Sequence, residues 1–422
     1  MMKIEKIDIE NFRGIESLSL DFQSNVNVIA GVNGCGKSSI LDCVAVLLSR
    51  FTSRIKSEHG AGGRFFGVPD IRNGVSNTQN TITISIEESP KITWFVVRDR
   101  HKSSSAAAQR ISNLEEIKGI ANGLRVKIQE DVACNIPIAV YYPTNRAVLD
   151  IPLRIKGKHI FDQHEAIENA LNGQSSNFRL FFEWFRNRED IENEERLSNR
   201  KHTDRQLESV RRAIHKLVPS FSGLRIKRAP LRMVLQKNKT EITVNQLSDG
   251  EKCLLALVGD LARRLALANP GLKDPLKGVG VVLIDEIELH LHPSLQRRII
   301  SSLSNTFENC QFIVSTHSPQ VLSQVKPESI HILKQTEDGK IISVRPKFSY
   351  GRNTDRLLED LMETPDRPDD VHLKLRELFM AIENNGLAEA KSLVSQLLEE
   401  IGDDPELIKA SALIHRKEIL SK

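Results

Sequence analysis

The feature that most constrains this chain is a glycine-rich segment, GVNGCGKSS, which runs from Gly31 to Ser39. Its pattern, Gly31-x4-Gly36-Lys37-Ser38, follows an apolar run typical of a buried strand and precedes apolar residues at helical spacing. Strand, glycine turn and helix in this order form a P-loop, whose backbone N–H groups close around phosphate at a helix N-terminus. A tight turn without a ligand is the alternative.

The P-loop predicts ATP as the ligand and Mg²⁺ as its companion ion. Lys37 is expected to reach the β- and γ-phosphates, and the Ser38 hydroxyl to bind Mg²⁺. The residues predicted to bind nucleotide at this turn are Asn33, Gly34, Cys35, Gly36, Lys37, Ser38 and Ser39.

A second motif, LSDGEK, spans Leu247 to Lys252 and precedes an apolar helical pattern. It resembles the signature motif of the ABC ATPase superfamily, with Asp249 where many transporters have glycine. In that superfamily the signature binds the γ-phosphate held by a second subunit. The resemblance therefore implies a head-to-tail dimer with two ATP molecules. Its in-trans residues would be Ser248, Asp249, Gly250 and Glu251. The alternative is a purely structural role, in which Ser248 and Glu251 form a capping box at the helix N-terminus. The capping role and the phosphate-binding role can coexist.

A third motif, VVLIDE, ends in Asp285 and Glu286. The apolar run before it is typical of a parallel strand buried on both faces. A carboxylate at such a strand end can hold Mg²⁺, and the next can orient or deprotonate the attacking water. We therefore expect Asp285 to be a metal ligand and Glu286 to be the catalytic base.

The fourth motif, STHSP, places His317 directly after a short apolar strand. ABC-type ATPases have a γ-phosphate-sensing histidine at this point, so the resemblance makes His317 a second catalytic residue; a structural histidine is the alternative. Between the third and fourth motifs, His290 and His292 lie two residues apart. No third ligand is evident nearby, so a metal site is not favoured. The resemblance to ABC-type ATPases instead implies that this stretch is the D-loop, which lies at the dimer interface in that superfamily.

The opening IENFRGIESLSLDF is similar to that of RecF and SMC-type heads, where a strand pair precedes the P-loop. In such heads Arg13 would lie near the nucleotide and contact phosphate; a surface arginine in a turn beside Gly14 is the alternative. Apolar residues alternate over 82–86 and again over 92–96, which predicts an antiparallel hairpin of a β-subdomain.

The region between P-loop and signature is too short for the long coiled-coil arms of SMC proteins. A predicted strand at 138–142 leads to Asn145. RecF and SMC-type heads often place here the Q-loop, which reaches Mg²⁺ and the attacking water, so the resemblance makes Asn145 the candidate Q-loop residue. An aromatic stripe at 178–185 then predicts core packing or a partner surface. The charged stretch 186–212 predicts a solvated or mobile helix.

The tail predicts helices over 352–363 and 371–398, and a last short helix from 403. One apolar face is formed by Leu373, Leu375, Leu378, Phe379 and Ile382, and another by Leu393, Val394, Leu397 and Leu398. Such faces need a partner, either each other or another chain.

Composition indicates a cytoplasmic protein without a membrane partner. The chain has 422 residues with no apolar run near the roughly 20 that cross a bilayer and no signal-peptide pattern. Its five cysteines are scattered, which favours a reducing compartment over a zinc site. The net charge of +4 is weak support for nucleic-acid binding.

These patterns predict an α/β fold: an ABC-type P-loop ATPase head with an antiparallel β-subdomain, a helical insertion and a helical C-terminal module. We place the N-terminal lobe at 1–150, the insertion at 151–220, the C-terminal lobe at 221–347 and the module at 348–422.

The full pattern resembles the PtuA family, the ATPases of Septu-type antiphage defence, and their relatives beside certain retrons. The resemblance rests on FRG, the P-loop, YYPTNR, FFEWF, LSDGEK, DEIELHLHP and STHSP. It implies an ATPase that forms homodimers or higher homo-oligomers. It also implies a separate PtuB-like HNH nuclease subunit, with DNA engaged through the complex and no nuclease activity in this chain. The alternatives are a RecF-like repair ATPase that clamps DNA on ATP-driven dimerisation and, less in keeping with the RecF-like opening, an ATPase coupled to a permease.

Overall fold

The computed structural model describes residues 2–86, 90–101, 112–144, 161–173, 178–362 and 367–420. Within it the chain forms two compact units, Met1–Thr354 and Asp355–Lys422. The predicted four-part division stays a prediction.

The strands of the described residues are β1 (Met2–Phe12), β2 (Ile15–Asp21), β3 (Val26–Ala30), β4 (Asn77–Ile86), β5 (Ile92–Asp99), β6 (Ile138–Tyr142), β7 (Phe221–Arg228), β8 (Leu231–Lys237), β9 (Thr240–Thr243), β10 (Gly280–Ile284), β11 (Cys310–Thr316), β12 (Ile330–Gln335) and β13 (Ile341–Val344). The helices are α1 (Lys37–Lys56), α2 (Glu115–Glu130), α3 (Phe178–Ser198), α4 (Arg205–Leu217), α5 (Asp249–Ala268), α6 (Pro293–Thr306), α7 (Pro319–Leu322), α8 (Thr354–Met362), α9 (Asp369–Glu383), α10 (Leu387–Ile401) and α11 (Pro405–Leu420).

The central sheet of the described chain has the order β13-β12-β3-β11-β10-β6. All neighbours are parallel except β12 and β13. Strands β6, β10 and β11 are buried along their whole length, as expected of strands covered on both faces. Because parallel strands end at one edge, the segments after β3, β6, β10 and β11 meet there. The predicted α/β fold with a parallel central sheet is confirmed.

A second sheet, ordered β2-β1-β4-β5, is antiparallel throughout. It contains the predicted N-terminal strand pair and the predicted hairpin. The Trp94 indole N–H donates to the Leu47 carbonyl of α1 at 3.2 Å. The buried Gln311 side chain exchanges hydrogen bonds of 2.7 and 2.8 Å with the backbone of Ile4, which joins β11 to β1.

Helices α3 and α4 pack on helix α5, which begins inside the LSDGEK motif. The aromatic stripe of α3 is fully buried, so the core reading is confirmed over the partner surface. The Phe181 ring lies so close to Gly259 of α5 that an added Cβ would be 2.9 Å from it. Strands β7, β8 and β9 form a small antiparallel sheet beside these helices.

The prediction of a solvated or mobile helix over 186–212 was wrong in part. The Glu189 and Glu192 carboxylates are buried, and the Arg211 guanidinium bonds Glu192 at 3.1 Å. Arg228 on β7 bonds Glu189 at 3.0 Å. The charges therefore form a buried ion-pair network that joins α3, α4 and β7, where residue composition alone suggested exposure.

The second unit is a helical module with its own core. Helices α9, α10 and α11 pack on each other through buried residues such as Leu378, Leu397 and Leu407, so the apolar faces partner one another. Two expectations were wrong in detail. Leu373 and Leu398 are 57% and 40% exposed and lie outside the core.

The predicted continuous helix over 371–398 is also wrong, because it divides at Asn385. This residue has a left-handed φ of 61°, its N–H bonds the Ile382 carbonyl, and the Gly386 N–H bonds the Ala381 carbonyl. Such a pair of bonds is a Schellman C-cap. The last helix, α11, is also longer than the short one expected, spanning Pro405–Leu420.

Among the described residues, no helix combines the length and the apolar character that crossing a bilayer requires.

Candidate active site

The P-loop joins β3 to α1 at the carboxyl edge of the central sheet. Gly34 and Gly36 adopt left-handed φ angles of 82° and 94°, which favour glycine. At Gly31, a Cβ would lie 2.7 Å from the Leu333 carbonyl oxygen, so no side chain fits. Gly36 is the N-cap of α1 and no side chain caps the helix. The N–H groups of its first turn are therefore oriented for an anion, and the turn fits a nucleotide phosphate.

The predicted P-loop side chains differ in what they expose. The Lys37 ammonium is buried and donates to the carbonyls of Gly31 at 2.8 Å and Val32 at 3.0 Å. Ser38, Asn33 and Gly34 are exposed, and Ser39 is half-buried. The Cys35 thiol is buried, and this burial raises its pKa. Cys35 can thus contribute its backbone to the cradle, while its thiol packs inward.

The two acidic residues after β10 are held by a serine on the neighbouring strand. The Ser315 hydroxyl donates to the buried Asp285 carboxylate and accepts from the Glu286 N–H at 2.7 Å. The Asp285 N–H also donates to the Tyr142 carbonyl at 2.9 Å. Glu286 has a left-handed φ of 46°, unusual for a residue with a side chain. These bonds fix the backbone of Asp285 and Glu286 at the end of β10, which we call the β10 corner. The fixed backbone sets the directions of both side chains.

His317 is positioned by Glu288, three residues after Asp285. The buried Glu288 carboxylate accepts from the His317 N–H at 2.7 Å and from the Thr316 hydroxyl at 2.8 Å. The His317 Nδ1 atom lies 3.2 Å from the same carboxylate, while the ring stays 46% exposed. One edge of the imidazole is therefore fixed, and the other faces solvent.

Arg13 lies in the turn between β1 and β2 and bonds two carboxylates. Its Nη1 donates to Asp42 on α1 at 2.7 Å, and its Nε donates to Asp70 at 2.9 Å. Asp42 stands one turn after Ser38, so Arg13 lies beside the first turns of the P-loop helix. Its contact with a phosphate stays a prediction.

Tyr141 connects this side of the site with the β10 corner. Burial raises the pKa of its phenol, and the negative charges of Asp42 and Asp285 raise it further. The phenol is thus close to both carboxylates. Two residues later the chain reaches Pro143, and the Q-loop candidate Asn145 lies outside the described residues.

The signature loop is a capped helix start. The Ser248 hydroxyl accepts from the Glu251 N–H at 3.4 Å, and the Glu251 carboxylate accepts from the Ser248 N–H at 3.1 Å, which completes the expected capping box. Ser248 and Asp249 are exposed. Gly250 is buried so tightly that a Cβ would lie 2.2 Å from the His290 carbonyl oxygen. The signature loop therefore lies directly against the D-loop of the same chain.

Two residues at this edge could hold a metal ion. The exposed Ser38 hydroxyl and the buried Asp285 carboxylate are oxygen donors of the kind that Mg²⁺ prefers. When bound, Mg²⁺ would neutralise charge on the phosphates. His290 and His292 form no metal site in the described chain, where no three His, Cys, Asp or Glu side chains group suitably. Instead, His292 caps α6.

Sequence patterns overlooked Ser315, Glu288 and Tyr141. The signal for Ser315 was present, because STHSP begins in the last two residues of β11, which pairs in parallel with β10. In that register Ile284 is opposite Val314, which brings Ser315 beside Asp285. Register is a long-range property, so the motif alone did not reveal the bond.

A family model described as "AAA domain" matches residues 6–218. The chain belongs to this AAA-domain family of ATPases. A second AAA-domain model, whose description also mentions the AbiEii toxin of a type IV toxin–antitoxin system, matches residues 153–323.

Two retron ATPases and one Septu protein match most of the chain. The chain is 31% identical to "Retron Ec83 probable ATPase" of Escherichia coli, over 96% of this chain and 85% of that protein. It is 30% identical to "Retron Vc95 probable ATPase" of Vibrio cholerae serotype O1 biovar El Tor, over 87% and 80%. Identity to "Septu protein PtuA" of Bacillus thuringiensis is 22%, over 86% and 84%. The chain is thus related to retron and Septu ATPases, and the narrower Septu assignment stays a prediction.

Proposed function

We propose that this chain hydrolyses ATP with Mg²⁺ in a head-to-tail homodimer, or a higher oligomer built from such dimers. In an antiphage defence system, it would thereby regulate a partner HNH nuclease that acts on DNA. The observation that carries the hydrolytic part is the corner in which Ser315 bonds both Asp285 and Glu286 at the edge that holds the P-loop.

The proposed hydrolysis assigns separate tasks to the residues of this edge. The P-loop N–H groups and Lys37 hold the phosphates and stabilise negative charge that builds on the leaving oxygen. The Glu286 carboxylate orients a water and accepts its proton as the water oxygen bonds to the γ-phosphorus and the bond to ADP breaks. His317 senses the γ-phosphate through its exposed edge.

The dimer part rests on the signature loop. Ser248 and Asp249 are exposed at a helix N-terminus, where the dipole favours an anion. Gly250 packs on the His290 carbonyl, so signature and D-loop form one surface. We propose that this surface covers the ATP held by the P-loop of a second copy, and that ATP turnover opens and closes the pair.

The nuclease part rests on relatives rather than on a site in this chain. Retron and Septu ATPases match most of the chain. We propose that an HNH protein encoded beside this chain binds the oligomer, and that DNA is cut by that partner.

The test is co-purification with the product of the neighbouring reading frame, followed by light scattering with and without ATP. A stable complex of ATPase oligomer and small HNH protein would support the proposal. A dimer that forms only with ATP, ignores the neighbour and binds DNA ends would instead favour the RecF-like repair function. Absence of ATP hydrolysis in either preparation would contradict both.

A further inference from the structure

A cavity of about 110 Å³ lies beside the second half of α1, more than three helical turns beyond the P-loop. It lies between α1, the loop at 60–63 and the segment at 167–172. The polar side chains that line it from α1 are Ser49, Thr52, Ser53 and Lys56. This volume is large enough for a single phosphate group.

Two buried arginines lie immediately behind the loop that walls this cavity. Arg50 and Arg54 are 8% and 7% exposed, and no carboxylate in the described chain forms an ion pair with either. Arg50 Nη1 and Arg54 Nε have no hydrogen-bond partner among the described residues. Arg54 Nη1 donates to the Arg50 carbonyl at 2.9 Å, and the Arg50 guanidinium stacks on Phe65 at 4.0 Å. Glu115, which acts on Arg54 from a distance, is paired with Lys118.

Such a pair of cations is costly to bury without a counter-charge. Burial lowers the pKa of both guanidinium groups, and for Arg54 the Glu115 charge offsets this only in part. An unpaired buried charge costs several kcal/mol in effective terms, because neither water nor an opposite charge replaces its hydration. An anion held nearby would offset that cost.

The loop that walls the cavity packs closely on the two arginines. A Cβ on Gly60 would lie 3.2 Å from Arg54 Nη1, and one on Gly63 would lie 3.1 Å from Arg50 Nη1. The Ser53 hydroxyl lies 2.8 Å from that second position. Glycines thus keep the backbone within contact distance of the cations, with a hydroxyl beside them.

We propose that this cavity binds a phosphate group at a site separate from the P-loop. The Ser53 hydroxyl and the Lys56 ammonium would donate to its oxygens, and Arg50 and Arg54 would supply the positive field behind the loop. Lys56 is paired with Glu168 at the rim, so binding exchanges one anionic partner for another. The phosphate could come from a free phosphate or nucleotide, or from a nucleic-acid backbone, since both present the same group.

Hydrogen bonds connect the cavity wall to the signature helix α5 and to strand β6. Arg264 on α5 donates to the carbonyls of Ala166 at 2.9 Å and Glu168 at 3.1 Å. On the other side, the Tyr141 N–H donates to the Ala170 carbonyl at 2.8 Å. The segment that a bound phosphate would touch is therefore held by α5 and by β6.

The test is equilibrium dialysis of radiolabelled orthophosphate against the full chain carrying Lys37→Ala, which weakens the P-loop site. We expect one saturable site to remain. Its Kd should rise about three- to tenfold in Lys56→Gln and in Ser53→Ala, because each removes one hydrogen bond, the lysine's charge-assisted. Arg54→Met should raise it by more than tenfold. Lys277→Gln, at a surface lysine paired with Glu308, is the matched control and should leave it unchanged.

Two outcomes would overturn the site: no saturable binding in Lys37→Ala, or an equal Kd in Lys56→Gln, Ser53→Ala and the control. Should Arg54→Met fail to fold, the two milder variants still decide. Competition then identifies the source. Displacement by a single-stranded oligonucleotide assigns a nucleic-acid backbone, displacement by AMP alone assigns a nucleotide, and displacement by neither leaves free phosphate.

Discussion

The P-loop side and the signature side of this ATPase are stabilised in different ways. On the P-loop side, side chains bond residues of a different segment. The Ser315 hydroxyl of β11 bonds the Asp285 carboxylate and the Glu286 N–H after β10. The Glu288 carboxylate bonds the His317 N–H after β11. On the signature side, the Ser248 hydroxyl bonds within its own helix turn, and Asp249 beside it faces solvent. One side is organised by its own chain, and the other presents a surface that a second copy can use.

One buried hydrogen bond links the two sides within the chain. The Tyr142 hydroxyl, at the end of β6, donates to Asp260 of α5 at 3.0 Å. Arg263 and Arg264 hold the same carboxylate and, against its burial, lower its pKa. The difference between the two sides predicts different effects of substitution. Substitutions on the P-loop side should change ATP hydrolysis in the site of the same chain. Substitutions on the signature side should change hydrolysis and leave ATP binding intact.

The largest effect is expected from Glu286→Gln. Loss of the catalytic base should lower ATP hydrolysis by about a hundredfold or more, while ATP binding is kept. Phosphate release and filter binding of ATP measure the two quantities. Glu308→Gln, at an exposed glutamate, is the control. Near-normal turnover in Glu286→Gln would show that this residue is not the base.

Gly250→Ala breaks the signature side. Its Cβ would lie 2.2 Å from the His290 carbonyl, so the start of α5 must move. We expect hydrolysis to fall by about ten- to a hundredfold through misplacement of Ser248. ATP binding to the monomer should change less than about twofold, since the P-loop is untouched. Gly119→Ala, where a Cβ meets nothing within 4 Å, is the control. Equal losses of binding and hydrolysis would remove the distinction between the two sides.

Acid should lower the free energy of unfolding through His331, which lies on β12 opposite Ile29 of β3. Burial and the nearby Arg345 lower its pKa to about 4 from 6.5. Below pH 6.5 the His331 imidazole is therefore protonated in the unfolded chain but stays neutral in the folded chain. The free energy of unfolding falls as the pH approaches 4. About 2 kcal/mol of unfolding free energy should be lost between pH 7.5 and 5. Urea unfolding at each pH measures this.

The His331 slope has two controls. His331→Leu should remove this part of the slope, whatever its stability at neutral pH, whereas His59→Gln at an exposed histidine should keep it. An unchanged slope in His331→Leu would assign the acid sensitivity to other groups.

Ser315→Ala sharpens the account of the P-loop side. It removes the hydroxyl that bonds Asp285 and Glu286, and we expect about tenfold slower hydrolysis, equivalent to one hydrogen bond to a charged group. Ser301→Ala, on the exposed face of α6, should have no effect. Unaltered turnover in Ser315→Ala would mean that the carboxylates are oriented without it.

Local patterns predicted much of this molecule. The P-loop, the strand before Asp285 and the alternating strands of the second sheet were readable because each signal lies within a few residues. The capping box at Ser248 was readable for the same reason. The break at Asn385 was overlooked although its Asn-Gly pair is a local C-cap signal.

What the patterns missed depends on contacts between distant segments. The bond of Ser315 to Asp285 follows from the register of β10 and β11. Likewise, the charges around Glu189 and Glu192 are buried because Arg211 and Arg228 reach them from other elements. Composition predicted that these residues are exposed, because it cannot distinguish a paired charge from a solvated one.

The central claim is that the signature acts on ATP held by another copy, and mixing two inactive variants tests it most directly. Lys37→Ala lacks a working P-loop, and Ser248→Arg blocks the signature. Each alone should hydrolyse little ATP. Mixed in equal amounts, they should recover up to about a quarter of normal activity, because half the dimers are mixed and each contains one intact site. A mixture no more active than its two components would contradict the claim.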